Sequence, residues 1–464
     1  MMNEIALKTI EARRKDLIKI SDYIWENPEP AYVEYKAVAV LKKFLVDEGF
    51  RLEDEVAGMP TAFMASWGSG KPVIGFLAEY DALPGLSQKL STELDPVVPN
   101  APGQGCGHNL LGVATLGAVV GLKQEMIENH LPGTIIFYGC PAEEVLTGKT
   151  FMARDGVFDC LDLALAYHPG RGNNVGLDSS NGLNSAIFHF RGRTAHAGGD
   201  PHNGRSALDA VELMNVGANY LREHVTTDVR IHYVIKEGGL APNIVPDKAS
   251  VWYYVRGPKR SVIDEVYARL IKVAKGAAMM TETEMEIEFL GGCHNTMPNK
   301  VLANVLYESM KAIQPEVWTA EELAFAKRLN DQQPVQYPAA LKQMNLPEGT
   351  EIAASVSPML FTGKIGGGST DVGDVEHIVP CASFGTATDN LGAPGHSWQI
   401  TACSGMSIGH KGMIYAAKVM ADAAGNLLRD PETVAKAKAE FLEVTGGKPY
   451  QCPIPAGVKA PGQK

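Results

Sequence analysis

Cys106-Gly107-His108 sets a thiol and an imidazole two residues apart in a loop that also carries Gly103 and Gly105. Glycine lets the backbone turn so that both side chains can face one ion. Glu143-Glu144 follows the apolar run Thr134–Tyr138. In such a pair one carboxylate can bind a metal while its neighbour acts as general base on a water activated there. His168 follows the apolar stretch Leu161–Tyr167, and His396 sits in Pro394-Gly395-His396-Ser397-Trp398. Taken singly, each has a structural reading: a loop Cys-x-His, a solvated acidic turn, a hydrogen-bonded histidine. Taken together, Cys106, His108, Glu144, His168 and His396 are the Cys, His and carboxylate donors that two transition-metal ions require. Spacing assigns no role to His196, in Arg193-Thr194-Ala195-His196-Ala197-Gly198. Cys140, next to the acidic pair, reads as a packed core thiol.

Short apolar runs must position these groups. Val73–Ala78 leads into Glu79-Tyr80-Asp81, Thr134–Tyr138 into the glutamate pair, and Leu161–Tyr167 into His168. With helical patterns around 110–129 and 148–156 between them, the runs predict an α/β fold with a mostly parallel sheet. Functional groups collect beyond the carboxyl ends of such strands. From about 186 the pattern changes to strand, long helix, two strands, helix and strand, the split β-α-β motif of a smaller α+β domain inserted into the first. The expected division is therefore 1–185 and 293–464 for the catalytic domain and 186–292 for the insertion. The Gln-, Pro- and Asn-rich stretch 329–351 reads as a surface excursion, and the Pro/Gly-rich tail from about 446 as unstructured.

Bulk properties exclude several classes. There are 42 Lys+Arg against 53 Asp+Glu, a net charge of −11, and no basic cluster of the kind nucleic-acid binders carry. The apolar run Leu110–Leu122 is shorter than the roughly 20 residues of a membrane span. The N-terminus lacks the layout of a signal peptide. Seven scattered cysteines do not suggest a disulfide framework. The expectation is a cytoplasmic enzyme acting on neither nucleic acid nor membrane.

The order Glu79-Tyr80-Asp81-Ala82-Leu83-Pro84, Cys106-Gly107-His108-Asn109, Pro141-Ala142-Glu143-Glu144, His168-Pro169 and Thr194-Ala195-His196-Ala197 resembles the M20 amidohydrolases. Gly367-Gly368-Ser369-Thr370-Asp371-Val372 and Pro394–Gln399 fit the branch of aminobenzoyl-glutamate hydrolase B chains and aminoacylase-like dipeptidases. The resemblance implies a ferredoxin-like lid that also dimerises, and two divalent ions, zinc before manganese. Their ligands would be Cys106, His108, Glu144, His168 and His396, with Glu143 as general base. It also implies that His196 stabilises an oxyanion across the dimer and that Asn243 and Arg256 hold a substrate carboxylate. The substrate would be an N-acyl amino acid such as aminobenzoyl-glutamate. A dipeptide, or a non-catalytic role in a heteromer with a related chain, are the alternatives to that activity in a homodimer. Many relatives have Asp where this chain has Asn109, and other branches have His where it has Glu79; this chain fits the branch whose Cys-Gly-His loop supplies the first ligands.

Overall fold

A computed structural model of the chain describes residues 2–462. Six strands come first: β1 Arg51–Asp54, β2 Phe63–Ser69, β3 Val73–Ala78, β4 Gly133–Gly139, β5 Leu163–Gly170 and β6 Gly172–Val175. The chain then forms β7 Gly182–Arg191, β8 Arg230–Glu237, β9 Lys248–Gly257 and β10 Glu284–Cys293, and returns for β11 Ala353–Val356 and β12 Cys381–Ala387. The large sheet runs β1-β2-β4-β3-β5-β12-β6-β11. Its centre, β4-β3-β5-β12, is parallel throughout. Helices cover both faces, so these strands are apolar on both sides, with Ile74, Phe76, Phe137 and Leu165 fully buried.

The helix His108–Glu128 carries apolar residues all round because it is a core element. It packs against Ser407–Arg429 and Glu4–Ala12. At 21 residues it is long and apolar enough for a membrane span, longer than the sequence run suggested, but it is mostly buried inside the fold. Burial rather than length explains its composition. Gly112 lets it approach β3: a Cβ there would lie 2.7 Å from the Glu79 carbonyl oxygen.

The second sheet, β10-β7-β9-β8, is antiparallel. Helices Ala207–Leu221 and Arg260–Thr281 cover one face, and Phe188, Val211, Met214, Tyr253 and Leu270 fill the space between. The strand and helix order is the split β-α-β arrangement expected from the sequence.

Two expectations need correction. His168 does not follow β5 but lies within it, opposite Gly385 of β12; pairing with a parallel neighbour carries the strand past the apolar run. The 329–351 stretch is mostly exposed and largely helical, with the end of Ala320–Asp331 and the whole of Gln336–Met344. A Thr319/Glu322 capping box starts the first of these helices. Pro338 falls in the first turn of the second, where a missing N–H costs nothing. The tail from 446 forms no helix or strand through 462 but is packed rather than loose, with Ile454 and Ala460 buried. Pro and Gly prevent regular structure without preventing burial.

The tail closes over His294 and His377, whose rings lie 4.4 Å apart. His294 donates to the Gln451 carbonyl at 2.8 Å, and Tyr450 donates to Asp374 at 2.7 Å. Burial first, then neighbouring positive charge, pushes both imidazoles down to about 4. An unfolded chain takes up both protons below about pH 6.5, while the fold takes them only near pH 4. The two histidines therefore contribute stability above pH 6.5 that is lost between 6.5 and 4. Burial raises Asp374 to about 6, which opposes part of this loss. Between pH 6.5 and 4 the urea midpoint of the wild type should drop relative to that of His294→Gln/His377→Gln. Equal drops would refute the assignment.

Candidate metal centre

The carboxyl ends of the parallel strands converge on one cavity of about 550 Å³, whose wall includes Cys106, Glu143, Glu144, His168, Arg256 and His396. β3 leads to Glu79 and Asp81, β4 to Glu143 and Glu144, β5 carries His168, and the loop after β12 carries His396. Gly107, at φ +78°, turns the chain from Cys106 into the helix that begins with His108. Ala142 at φ +58° and Leu146 at φ +59° bracket the turn holding the two glutamates. Left-handed conformations cost energy at non-glycine residues. One anchor is visible: the Ala142 amide donates to Glu34 at 2.8 Å.

The donor atoms meet. Cys106 Sγ lies 3.4 Å from His168 Nε2, and His396 Nε2 lies 3.5 Å from Glu144 Oε2. Cys106, His108 and His168 form one group with all ligand atoms within 4.8 Å of one another; Cys106, Glu144 and His396 form a second, and Glu79, His108 and Glu143 a third. The first two share Cys106. The His168 Nδ1–H donates to the Pro169 carbonyl at 2.7 Å, which turns Nε2 toward the cavity. The His108 Nδ1–H likewise donates to the Asp81 carboxylate at 2.9 Å, and the other Asp81 oxygen accepts from the Glu144 amide. Second contacts of this kind set which imidazole nitrogen faces an ion.

Buried atoms without partners test the fit to a cation. His108 Nε2, Glu144 Oε1 and Glu79 Oε2 are buried with no hydrogen-bond partner among the described residues. Unpaired buried polar atoms are rare in native folds because they are costly. An ion would satisfy the His108 and Glu144 atoms, and the soft thiol with imidazole and carboxylate is a transition-metal donor set. The residues fit a metal.

Comparison with known proteins shows the family. Residues 179–279 match the peptidase dimerisation domain of the M20 family. The chain is 40% identical over 471 residues to the B chain of p-aminobenzoyl-glutamate hydrolase from Escherichia coli, covering 97% of this chain and 96% of the relative. The chain belongs to the M20 family. It is a metallo-amidohydrolase or peptidase. The Xaa-Arg dipeptidase of Mus musculus is 27% identical over 95% of this chain and 92% of its own length. A dinuclear metal-binding M20 peptidase from Bacillus subtilis shares the fold, with a TM-score of 0.59 at 17% identity over 90% of this chain and 99% of that one.

Not every candidate in this M20 chain reaches the cavity. Arg256 lines it. His196 and Asn243 are exposed on neighbouring loops of the second sheet, where the Asn243 carbonyl accepts from the Ala197 amide, and neither lines that cavity. His196 Nδ1 accepts from the Gly198 and Gly199 amides, which leaves Nε2–H as a free donor.

Beneath the M20 donor set is a charged layer to which the sequence motifs assigned no role. Lys149, fully buried, pairs with Glu79 at 2.5 Å and Asp371 at 2.8 Å. Burial opposes its charge, but Asp371 and Glu79 outweigh burial and hold the ammonium well above its ordinary range. Burial, then Glu79 and Asp371, raises Glu143 well above the usual carboxylate range, and burial raises Glu144 to about 7. Asp81 could have been found, since it lies just beyond a strand end as the glutamate pair does. Lys149 gave one weak signal, a cation close before the apolar run Phe151-Met152-Ala153.

Proposed function

We propose that this chain hydrolyses the amide bond of an N-acyl amino acid, aminobenzoyl-glutamate being the representative substrate, at a two-metal centre. The observation that carries the reading is the pair of donor groups sharing Cys106 beside the buried Glu143. Cys106, His108, Glu144, His168 and His396 are the proposed ligands, and the thiol favours zinc over manganese. When bound, the ions supply Lewis acidity to the amide carbonyl and to water.

Glu143 takes the proton of the attacking water and returns it to the departing amine. Its carboxylate lies 3.9 Å from His108 Nε2, against the ligand cluster. Arg256 binds the substrate carboxylate through its paired N–H groups. His196 and Asn243 act on the cavity of a second copy, where the free His196 Nε2–H suits a developing oxyanion. Support for a dimer comes from the matched dimerisation domain and from edge strand β8, whose Tyr233, Val234 and Ile235 are exposed. The similarity to one chain of a hydrolase with differently lettered components supports a second reading, assembly with a related chain.

Metal analysis tests the centre. About two transition-metal ions per chain are expected in the wild type, fewer in Cys106→Ala and Glu144→Ala, with loss of N-benzoyl-glutamate hydrolysis on chelation. A wild type that stays metal-free when offered zinc or manganese would overturn the reading. Metal-loaded protein inert on N-acyl amino acids but cleaving dipeptides with a free α-amine would shift it to a dipeptidase.

A further inference from the structure

The second sheet turns one face to its helices and the other toward the cavity mouth. The register of β8 on β9 sets Arg230 opposite Arg256 and His232 opposite Tyr254. Directly opposed residues share a face, and like charges so placed destabilise a sheet. Ile231, Tyr253 and Val255 point the other way, into the helix-covered core.

Neither guanidinium has a carboxylate at ion-pairing distance among the described residues. Arg230 donates to the Thr227 and Val229 carbonyls. Arg256 reaches only the Gly367 carbonyl and Ser369 hydroxyl, both at 3.4 Å, and lies over the Tyr254 ring. Burial, followed by Arg256, Arg222 and Arg230, pushes the His232 imidazolium down, so this wall is crowded with positive charge. The wall encloses a concavity of about 600 Å³ with Asn181, Asp228, Arg230, His232, Tyr254 and Arg256 on its lining. Tyr254 and Arg256 also line the catalytic cavity, so the two spaces adjoin. Asp228 offsets part of the charge but pairs with neither arginine. An opposed, unpaired arginine pair beside a substrate cavity is a place for an anion.

We infer that Arg230, His232 and Arg256 form a second anion subsite that receives the side-chain carboxylate of the substrate's amino-acid half. Arg256, on the shared wall, takes the first carboxylate, and Arg230 with His232 takes the second. The enzyme then selects dicarboxylic amino acids over neutral ones and rejects an arginine side chain, which would meet two guanidinium groups. The inference rests on the amidohydrolase reading for the identity of the substrate, but the anion subsite can be tested apart from turnover.

Titration calorimetry on metal-loaded Glu143→Gln protein would compare N-benzoyl-glutamate, N-benzoyl-glutamine and N-benzoyl-arginine. The glutamate compound should bind about tenfold to a hundredfold tighter than the glutamine compound, the range for a hydrogen bond to a charged group. The arginine compound should bind weakest. Adding Arg230→Gln should remove most of the glutamate preference. Adding Arg191→Gln, an exposed residue paired with Glu286 on the same sheet, should leave it intact and control for general damage. Equal affinities, tighter arginine binding, no measurable binding of the glutamate compound, or a preference that survives Arg230→Gln would each overturn the subsite. Wild-type hydrolysis measured in parallel separates the two ideas. An Arg230-dependent binding preference without hydrolysis removes the amidohydrolase reading and keeps the subsite; hydrolysis without preference does the reverse.

Discussion

Glu143→Gln should lower kcat for amide hydrolysis by about 10²–10⁴, the usual contribution of a positioned general base. The amide is isosteric with the carboxyl, so the buried turn between Ala142 and Leu146 keeps its shape while losing the group that accepts a proton. Glu143 is not among the proposed ligands, so metal content should match the wild type. Stability should be equal or slightly higher. Burial and the nearby Glu79 and Asp371 disfavour the Glu143 carboxylate in the fold, and a neutral amide escapes that penalty. Single-turnover kinetics, metal analysis and thermal unfolding on the same preparation check all three. Near-normal turnover would remove Glu143 from the mechanism, and lost metal would make it a ligand instead.

Lys149→Met should cost about 3–5 kcal/mol of folding stability, the range for removing one partner of a buried ion pair. Methionine fills much of the same volume, so the loss reports charge rather than a cavity. Without the ammonium, Glu79 and Asp371 face each other's charge with no protein cation between them. The defect should reach the proposed metal site as well, because Glu79 Oε2 lies 3.4 Å from His108 Nε2. Urea unfolding would measure the loss, and a cycle with Asp371→Asn would isolate the coupling. The double variant should recover part of the stability. A Lys149→Met protein within about 1 kcal/mol of wild type would show that the carboxyls are protonated and the pairing is weak.

How far the chemistry was legible in the sequence depended on chain distance. Cys106 with His108, and Glu143 with Glu144, are near neighbours, and their place beyond apolar runs already suggested a ligand set. The strand exits at 79–81 and 143–144 and the β-α-β-β-α-β order of the second sheet were likewise readable, because residue periodicity reports which sides of an element are buried. Composition alone misjudged the tail. Polar and Pro/Gly-rich segments can still bury a few apolar side chains, as Ala340, Ile454 and Ala460 do.

The amino-acid sequence by itself determined the elements and the types of donor they carry, since both follow from local pattern and residue chemistry. Only the tertiary structure decided which donors meet, and which charges balance. Asp81 holding His108, Lys149 joining Glu79 to Asp371, and Arg230 facing Arg256 are contacts between segments separated by 26 residues or more. Electrostatic and hydrogen-bond energies depend on distances in space, and no spacing along the chain specifies those.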